Sequence, residues 1–417
     1  MFNWLIAIRL VMPYLGIERY GVVATVSSLG TFAALADIGL GQAVVNIAAR
    51  AAARSEKESE YLVRATACSF WGLALLTSVL MVIVAGCAIV GRFAWPNGQV
   101  PAVFNGILVL AACMLLMQPF SVATKLLTGF QQYRQMYGWQ LLGILGALIC
   151  VWVASSLQLN ELWIIGALFL PVALAQIGNT VHMFYFEYPF LAPKISSFQW
   201  DEAKQLVASG MTPFLSGASS SVIFTAPTWC MAALFGTGLA GSYSVLFRLM
   251  SPLVILCGMM TTPMWPAYAQ KLALSQFEEM KRMLRLSLGL VLALNVAGLG
   301  LIAVILPRAL AMLTKGMITS LPIAQVVATG ALMVLMASRH TLMMAVLGSA
   351  RGAAMRWVFV FGMVLSLGLP VAHGMLSQPY EVIIVFMGLE VALIAAATYD
   401  LAGLHKTAAV PLATASA

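Results

Sequence analysis

The run TACSFWGLALLTSVLMVIVAGCAIVG, residues 66–91, decides the fold. It carries no charged side chain and none of the apolar/polar alternation that a half-buried strand requires. A helix rises about 1.5 Å per residue, so roughly 20 such residues cross a hydrocarbon layer about 30 Å thick. Hydrocarbon offers no hydrogen-bond partner to the backbone, which leaves only helices or closed barrels as spanning elements. Run length and the missing alternation select helices.

Outward from this segment the rest of the chain reads the same way. Hydrophobic residues make up 62% of the 417 positions and charged residues 9%, with a mean hydropathy of +0.95, which excludes a soluble globule. Apolar runs punctuated by polar loops fall near residues 1–15, 22–48, 66–91, 102–127, 138–157, 162–185, 208–235, 240–268, 286–307, 321–347, 356–376 and 380–403. The expected fold is all-α and polytopic with about twelve spans, the first incomplete.

The net charge of +8 raises the possibility of a nucleic-acid partner. The lysines and arginines sit in short loops and form no basic domain, so no nucleic acid is expected, and topology explains them better. With the amino terminus in the cytoplasm, fifteen of them lie in inside loops or the tail, among them Arg54, Lys57, Lys281 and Arg285. Only Arg19, Arg92, Arg308 and Lys315 lie outside. This positive-inside bias predicts a bacterial inner-membrane protein with both termini cytoplasmic. The six cysteines lie singly in apolar segments with no C-x-x-C pair, so neither a disulfide framework, a metal site nor a cofactor is expected. The stretch Met1–Leu15 carries Arg9 and precedes no small-residue cleavage pattern, so no cleavable signal peptide is expected.

The two halves repeat at a period near 220 residues. The mixed-charge loop at 54–60 matches the loop at 276–282, and Gly21 pairs with Gly241, Gly129 with Gly348 and Met136 with Met355. An even number of spans per half makes the repeat parallel, with a cavity expected between halves. The expected organisation is two pseudo-symmetric six-helix bundles, residues 1–190 and 191–405, hinged at the polar stretch 187–205, followed by a cytoplasmic tail, 406–417. Since the seventh span begins near Ala208, the repeat also implies that the first helix lacks its opening turns.

The stretch Leu15-Gly16-Ile17-Glu18-Arg19-Tyr20-Gly21, followed by Leu35-Ala36-Asp37-Ile38-Gly39-Leu40-Gly41, resembles the opening of Wzx-like polysaccharide flippases of the multidrug/oligosaccharidyl-lipid/polysaccharide (MOP) superfamily. Thr261-Thr262-Pro263-Met264-Trp265-Pro266-Ala267-Tyr268 resembles that family's eighth span, and Thr128-Gly129-Phe130-Gln131-Gln132 its fourth-to-fifth junction. The resemblance implies a transporter, not an enzyme, that moves a polyprenyl-pyrophosphate-linked oligosaccharide between leaflets, with membrane lipid and polysaccharide-assembly proteins as further partners.

An anionic head group needs a cationic, hydrated path. An arginine in hydrocarbon costs a few kcal/mol, so one that persists there faces a cavity or has a partner. Arg9, Arg248 and Arg339 are the arginines closest to span interiors and are the candidate substrate-binding residues, with snorkelling to an interface as the alternative. Asp37 and Glu390 are the candidate ion-coupling acids. The plainer readings are a structural cap beside Gly39 and Gly41 for Asp37 and a satisfied interhelical hydrogen bond for Glu390. His182 and His373 read more simply as packing residues than as pH gates. Prolines 119, 213, 227, 252, 263, 266 and 370 bend spans. Trp95, Trp139, Trp152, Trp163, Trp200 and Trp357 fall near span ends, as interfacial anchors do, and Trp229 and Trp265 lie deeper.

Two other functions compete. A membrane glycosyltransferase or polymerase needs positioned acids beside a sizeable aqueous loop, and the outside loops here are short. A cation-coupled exporter of small amphiphilic drugs on the same fold is the nearer rival. Cationic cargo would favour an acidic cavity, whereas the candidate residues are mainly basic.

Overall fold

The computed structural model describes residues 2–30, 39–51, 56–94, 100–130, 132–261, 264–273, 276–318, 320–348, 353–369 and 376–402. Asp37, Trp95, Gln131, Thr262, Pro263, Pro370, His373 and the tail 406–417 lie outside the described residues. The described chain is all-α. Fourteen α-helices run in order: α1 (Phe2–Leu29), α2 (Leu40–Ala51), α3 (Glu56–Ala94), α4 (Val100–Met117), α5 (Ser121–Gly129), α6 (Tyr133–Ser156), α7 (Glu161–His182), α8 (Trp200–Phe235), α9 (Thr237–Thr261), α10 (Met264–Ala273), α11 (Phe277–Thr314), α12 (Ile323–Gly348), α13 (Ala353–Gly368) and α14 (Pro379–Ala402). Seven of the helical segments are long and apolar enough to cross a membrane, and shorter apolar helices lie at Pro101–Met114, Ser221–Phe235 and Ala354–Ser366. The chain is a multi-pass membrane protein.

Several expected spans are divided where the backbone demands it. The run 102–127 is two helices, because Pro119 lacks an N–H and the chain turns through 118–120 before α5. The run 240–268 is likewise α9 and α10. The runs 1–15 and 22–48 are cut differently. Helix α1 continues to Leu29 across a sharp bend at Gly16, whose φ/ψ of 79°/168° suits only glycine. Gly236, which separates α8 from α9, has nearly the same conformation, 91°/164°. These two residues are 220 positions apart, in register with the sequence repeat.

Packing groups the chain into two compact units, residues 2–241 and 242–417. In the first, α8 packs on α1, α2 and α3, and α7 on α1, α4, α5 and α6. Its core joins Leu40, Val44 and Ile47 of α2, Leu62 and Leu73 of α3, and Val122, Leu126 and Leu127 of α5. The segment between α7 and α8 returns over α3. The Trp71 indole donates to the Pro193 carbonyl at 3.2 Å, and Arg64 donates to Glu202 at 2.7 Å.

Within this unit the residues after each glycine bend cross closely. A methyl group on Gly21 would overlap the carbonyl oxygen of Thr237, and one on Gly241 would stand 2.8 Å from the carbonyl oxygen of Ile17. Ile17 and Thr237 are themselves 220 apart, so the two contacts are reciprocal. Lipid gives helices no hydrophobic drive toward one another, and such small-residue crossings supply dispersion contact instead.

In the second unit α12 packs on α10, α11 and α14, and α13 packs on α14. Asp400 near the end of α14 accepts from the backbone N–H groups of Ala354 (3.3 Å) and Met355 (3.0 Å), capping α13 from a neighbouring helix. Large apolar side chains dominate the outer faces of both units: Val82 on α3, Ile149 on α6 and Val304 on α11 are 74%, 62% and 78% exposed, as a lipid-facing surface requires. Trp152, Trp163, Trp200 and Trp357 are also exposed near helix ends, in keeping with interfacial anchoring.

Candidate functional site

The second unit buries an ion pair. Arg339 lies two-thirds of the way along α12 and Glu390 halfway along α14, and the tight packing of these helices brings the side chains together. The Arg339 Nε–H donates to Glu390 Oε2 at 2.6 Å, and the two side chains are 5% and 0% exposed. Phe359 of α13, itself fully buried, presents its ring 5.5 Å from the Arg339 guanidinium carbon, a cation–π placement. The other carboxylate oxygen, Glu390 Oε1, is buried and has no hydrogen-bond partner among the described residues.

Polar groups continue into the neighbouring helices. His340 turns toward α9, where its Nε2 lies 3.5 Å from the point a Cβ on Gly258 would occupy. On α11, fully buried Asn295 donates to the Cys257 sulfur at 3.1 Å and to the Val291 carbonyl at 2.8 Å, leaving its Oδ1 unsatisfied among the described residues. Cys257, Val291 and Ala337 pack together beside it. Burying two charges costs several kcal/mol per ion before their attraction offsets it, so an ion pair of this kind is poor evidence for stability. A proton or small cation arriving at Glu390 would compete with Arg339 for the carboxylate. Among the described residues no three His, Cys, Asp or Glu side chains converge as metal ligands.

The other expected site residues that are described lie on α1 and α9. Arg9 is exposed on α1 in the first unit. Arg248 is half-buried on α9, where its Nε–H donates to Ser244 Oγ one turn earlier at 3.0 Å. Of the residues read from sequence, Arg339 and Glu390 share a hydrogen bond. They were expected in different roles, one on substrate and one on the coupling ion.

Sequence reasoning missed a second polar cluster, in the first unit. Gln176 on α7 donates to the Phe120 carbonyl (2.9 Å) and to Thr124 Oγ1 (2.6 Å), and Thr180 donates to the same carbonyl at 2.7 Å. Asn179 reaches Thr124 at 3.4 Å. These side chains tie α7 to the turn at Pro119 and the first turn of α5. The spacing Gln176, Asn179, Thr180 is the signal that reveals it, since i, i+3 and i+4 share one helix face.

No protein-family model matches the sequence, and no curated protein matches it. Solved structures do. The chain is similar to the inward-facing conformation of a multidrug resistance MATE family transporter of the MOP superfamily, with a TM-score of 0.78 at 14% identity over 98% of this chain and 96% of that one. An outward-facing conformation of a multidrug resistance MATE family transporter of the MOP superfamily gives 0.59 at 14% identity, over 97% and 95%. A MOP superfamily transporter from Pyrococcus furiosus, described as having a binding pocket of reverse polarity that suggests a different function, gives 0.53 at 14%, over 97% and 95%. The fold is therefore that of MOP-superfamily transporters.

Proposed function

We propose that this chain is an ion-coupled transporter of small amphiphilic molecules, with Glu390 as the coupling acid and Arg339 as its internal counter-charge. The carrying observation is the buried pair between α12 and α14, with one carboxylate oxygen unsatisfied, in a chain that has a transporter fold. Glu390 compensates Arg339, which removes one charge from the basic path expected for an anionic cargo. What remains of that path is Arg9 and Arg248, a smaller positive charge for an amphiphilic cargo to meet. When a proton or sodium ion occupies Glu390, Arg339 loses the negative charge of this carboxylate. Coupling follows if the two conformational states of the transporter differ in how well they tolerate that loss, since equal tolerance shifts no population. The sequence repeat supports bundles 1–190 and 191–405 as the related halves, and the charge bias supports an inner-membrane location with cytoplasmic termini.

The test is transport by the purified full chain in vesicles. An imposed proton or sodium gradient is expected to drive accumulation of a fluorescent amphiphilic cation, and Glu390→Gln, which still offers Arg339 an acceptor, is expected to abolish that drive while leaving cargo binding in place. Undiminished gradient-driven accumulation by the variant would overturn the role of Glu390.

A second reading is the flippase of a polyprenyl-pyrophosphate-linked oligosaccharide. The segments around Gly16, Gly39 and Tyr268 favour it, and the Pyrococcus furiosus relative, by its description, indicates that this fold accommodates pockets of opposite polarity. Here Arg9, Arg248 and Arg339 would meet the pyrophosphate, with Asp37 a further acid. Complementation of a flippase-deficient strain decides between the readings: rescue by the wild type and loss with Arg248→Ala support the flippase, and failure of a membrane-inserted wild type supports the exporter.

A further inference from the structure

One groove in the second unit is unlike the rest of the apolar surface. Helix α12 packs against both α11 and α14. The start of α11 and the end of α14 therefore stand on either side of it, with buried Leu342 lining the groove between them. The groove holds about 420 Å³, and Met280, Leu284, Leu288 and Leu401 line it as well. Among the described residues, its only charged lining residues are two cations, Lys281 and Arg285, one turn apart on α11. The arrangement is a hydrocarbon slot with positive charge on one wall.

The charge is available to a ligand. Arg285 is exposed and makes no ion pair among the described residues. Lys281 meets Glu278 at 2.9 Å, but Glu278 is 77% exposed, and such surface pairs hold weakly and give way to a better-placed anion. Asp400, next to lining residue Leu401, has both carboxylate oxygens engaged by the α13 backbone. The nearby Glu279 is paired with Lys271.

We propose that this groove is a binding site for an anionic phospholipid, with its phosphate on Lys281 and Arg285 and an acyl chain along Leu284, Leu288 and Leu342. The inference rests on the membrane reading of the chain, and the charge bias assigns this end to the cytoplasmic leaflet, where anionic head groups attract juxtamembrane basic residues. It is independent of which cargo is carried.

The experiment is native mass spectrometry of the detergent-purified full chain titrated separately with phosphatidylglycerol, phosphatidylcholine and undecaprenyl phosphate. Wild type is expected to retain phosphatidylglycerol in preference to phosphatidylcholine. Each cation removed is expected to weaken phosphatidylglycerol roughly fivefold, so that Lys281→Gln/Arg285→Gln abolishes the preference. Leu342→Trp, which fills the groove and keeps both charges, is expected to abolish it too. Arg282→Gln alters an exposed neighbour outside the lining and is expected to change nothing. Equal loss with Arg282→Gln would reduce the effect to diffuse surface attraction, and an unchanged preference in the double variant or with Leu342→Trp would remove the groove. Tighter retention of undecaprenyl phosphate would overturn the phospholipid assignment. None of these results depends on transport, so failure here leaves the transport reading standing.

Discussion

Helices α4 and α5 with α7, and helix α12 with α14, occupy corresponding places in the 220-residue repeat, yet they are joined by opposite chemistry. In the first pair Pro119 breaks the helix, and the neutral side chains of Gln176 and Thr180 donate to the Phe120 carbonyl. In the second, Arg339 stands 220 positions after Pro119 and the helix runs unbroken, its Nε–H donating to Glu390 of α14. One junction is a set of neutral hydrogen bonds. The other is a contact that a single proton or cation can compete for. Of these two helix contacts, one is neutral and the other ionic.

The sharpest way to break that contrast is Arg339→Ala. It leaves a buried carboxylate uncompensated and is expected to destabilise the purified protein by about 3–5 kcal/mol, read as a lowered midpoint in thermal unfolding. Arg339→Met with Glu390→Leu is expected to recover most of that loss, because two apolar side chains of similar volume fill the site without charge. A mild effect of Arg339→Ala would mean that the pair is wet and mobile instead of buried. The reciprocal glycine crossing comes next. Gly21→Ala and Gly241→Ala each force backbone apart and are expected to cost about 1–3 kcal/mol. Near-equal losses in unfolding experiments would sharpen the equivalence of the two repeats, and a large disparity would show that one crossing is the looser. The smallest effect belongs to the neutral junction: Gln176→Leu is expected to cost about 0.6 kcal/mol, and at most about 1.7, since Thr180 still serves the Phe120 carbonyl. A loss matching that of Arg339→Ala would erase the distinction between the two junctions.

Much of the fold is legible in the sequence because lipid imposes a simple rule, that long uncharged runs become helices. The repeat register is legible too, since the pairing of Gly21 with Gly241 corresponds to a real reciprocal contact. Breaks inside runs are harder to see. Pro119 has Leu115, Leu116 and Met117 on one side and Val122 on the other, so apolar character continues across the turn and hides it. The site is less legible than the fold. Arg339 and Glu390 each stand out as charges in apolar segments, but nothing in a single sequence says that residues 51 positions apart share a hydrogen bond. Asn295 and Gln176 are neutral, and a single neutral polar residue in an apolar run does not reveal which helix it bonds to.

The order of synthesis adds a last consequence of the buried pair. Arg339 leaves the ribosome 51 residues before Glu390, which at bacterial or eukaryotic elongation rates is roughly 3–10 s. During that wait α12, the least apolar of the seven long spans, must enter the bilayer carrying an uncompensated guanidinium, at a cost of about 2.5–3.5 kcal/mol on insertion scales. Nascent α12 therefore has to linger near the translocon or lean on earlier helices until α14 arrives, and a chain that stalls before residue 390 hands the quality-control proteases a helix that has never met its counter-ion.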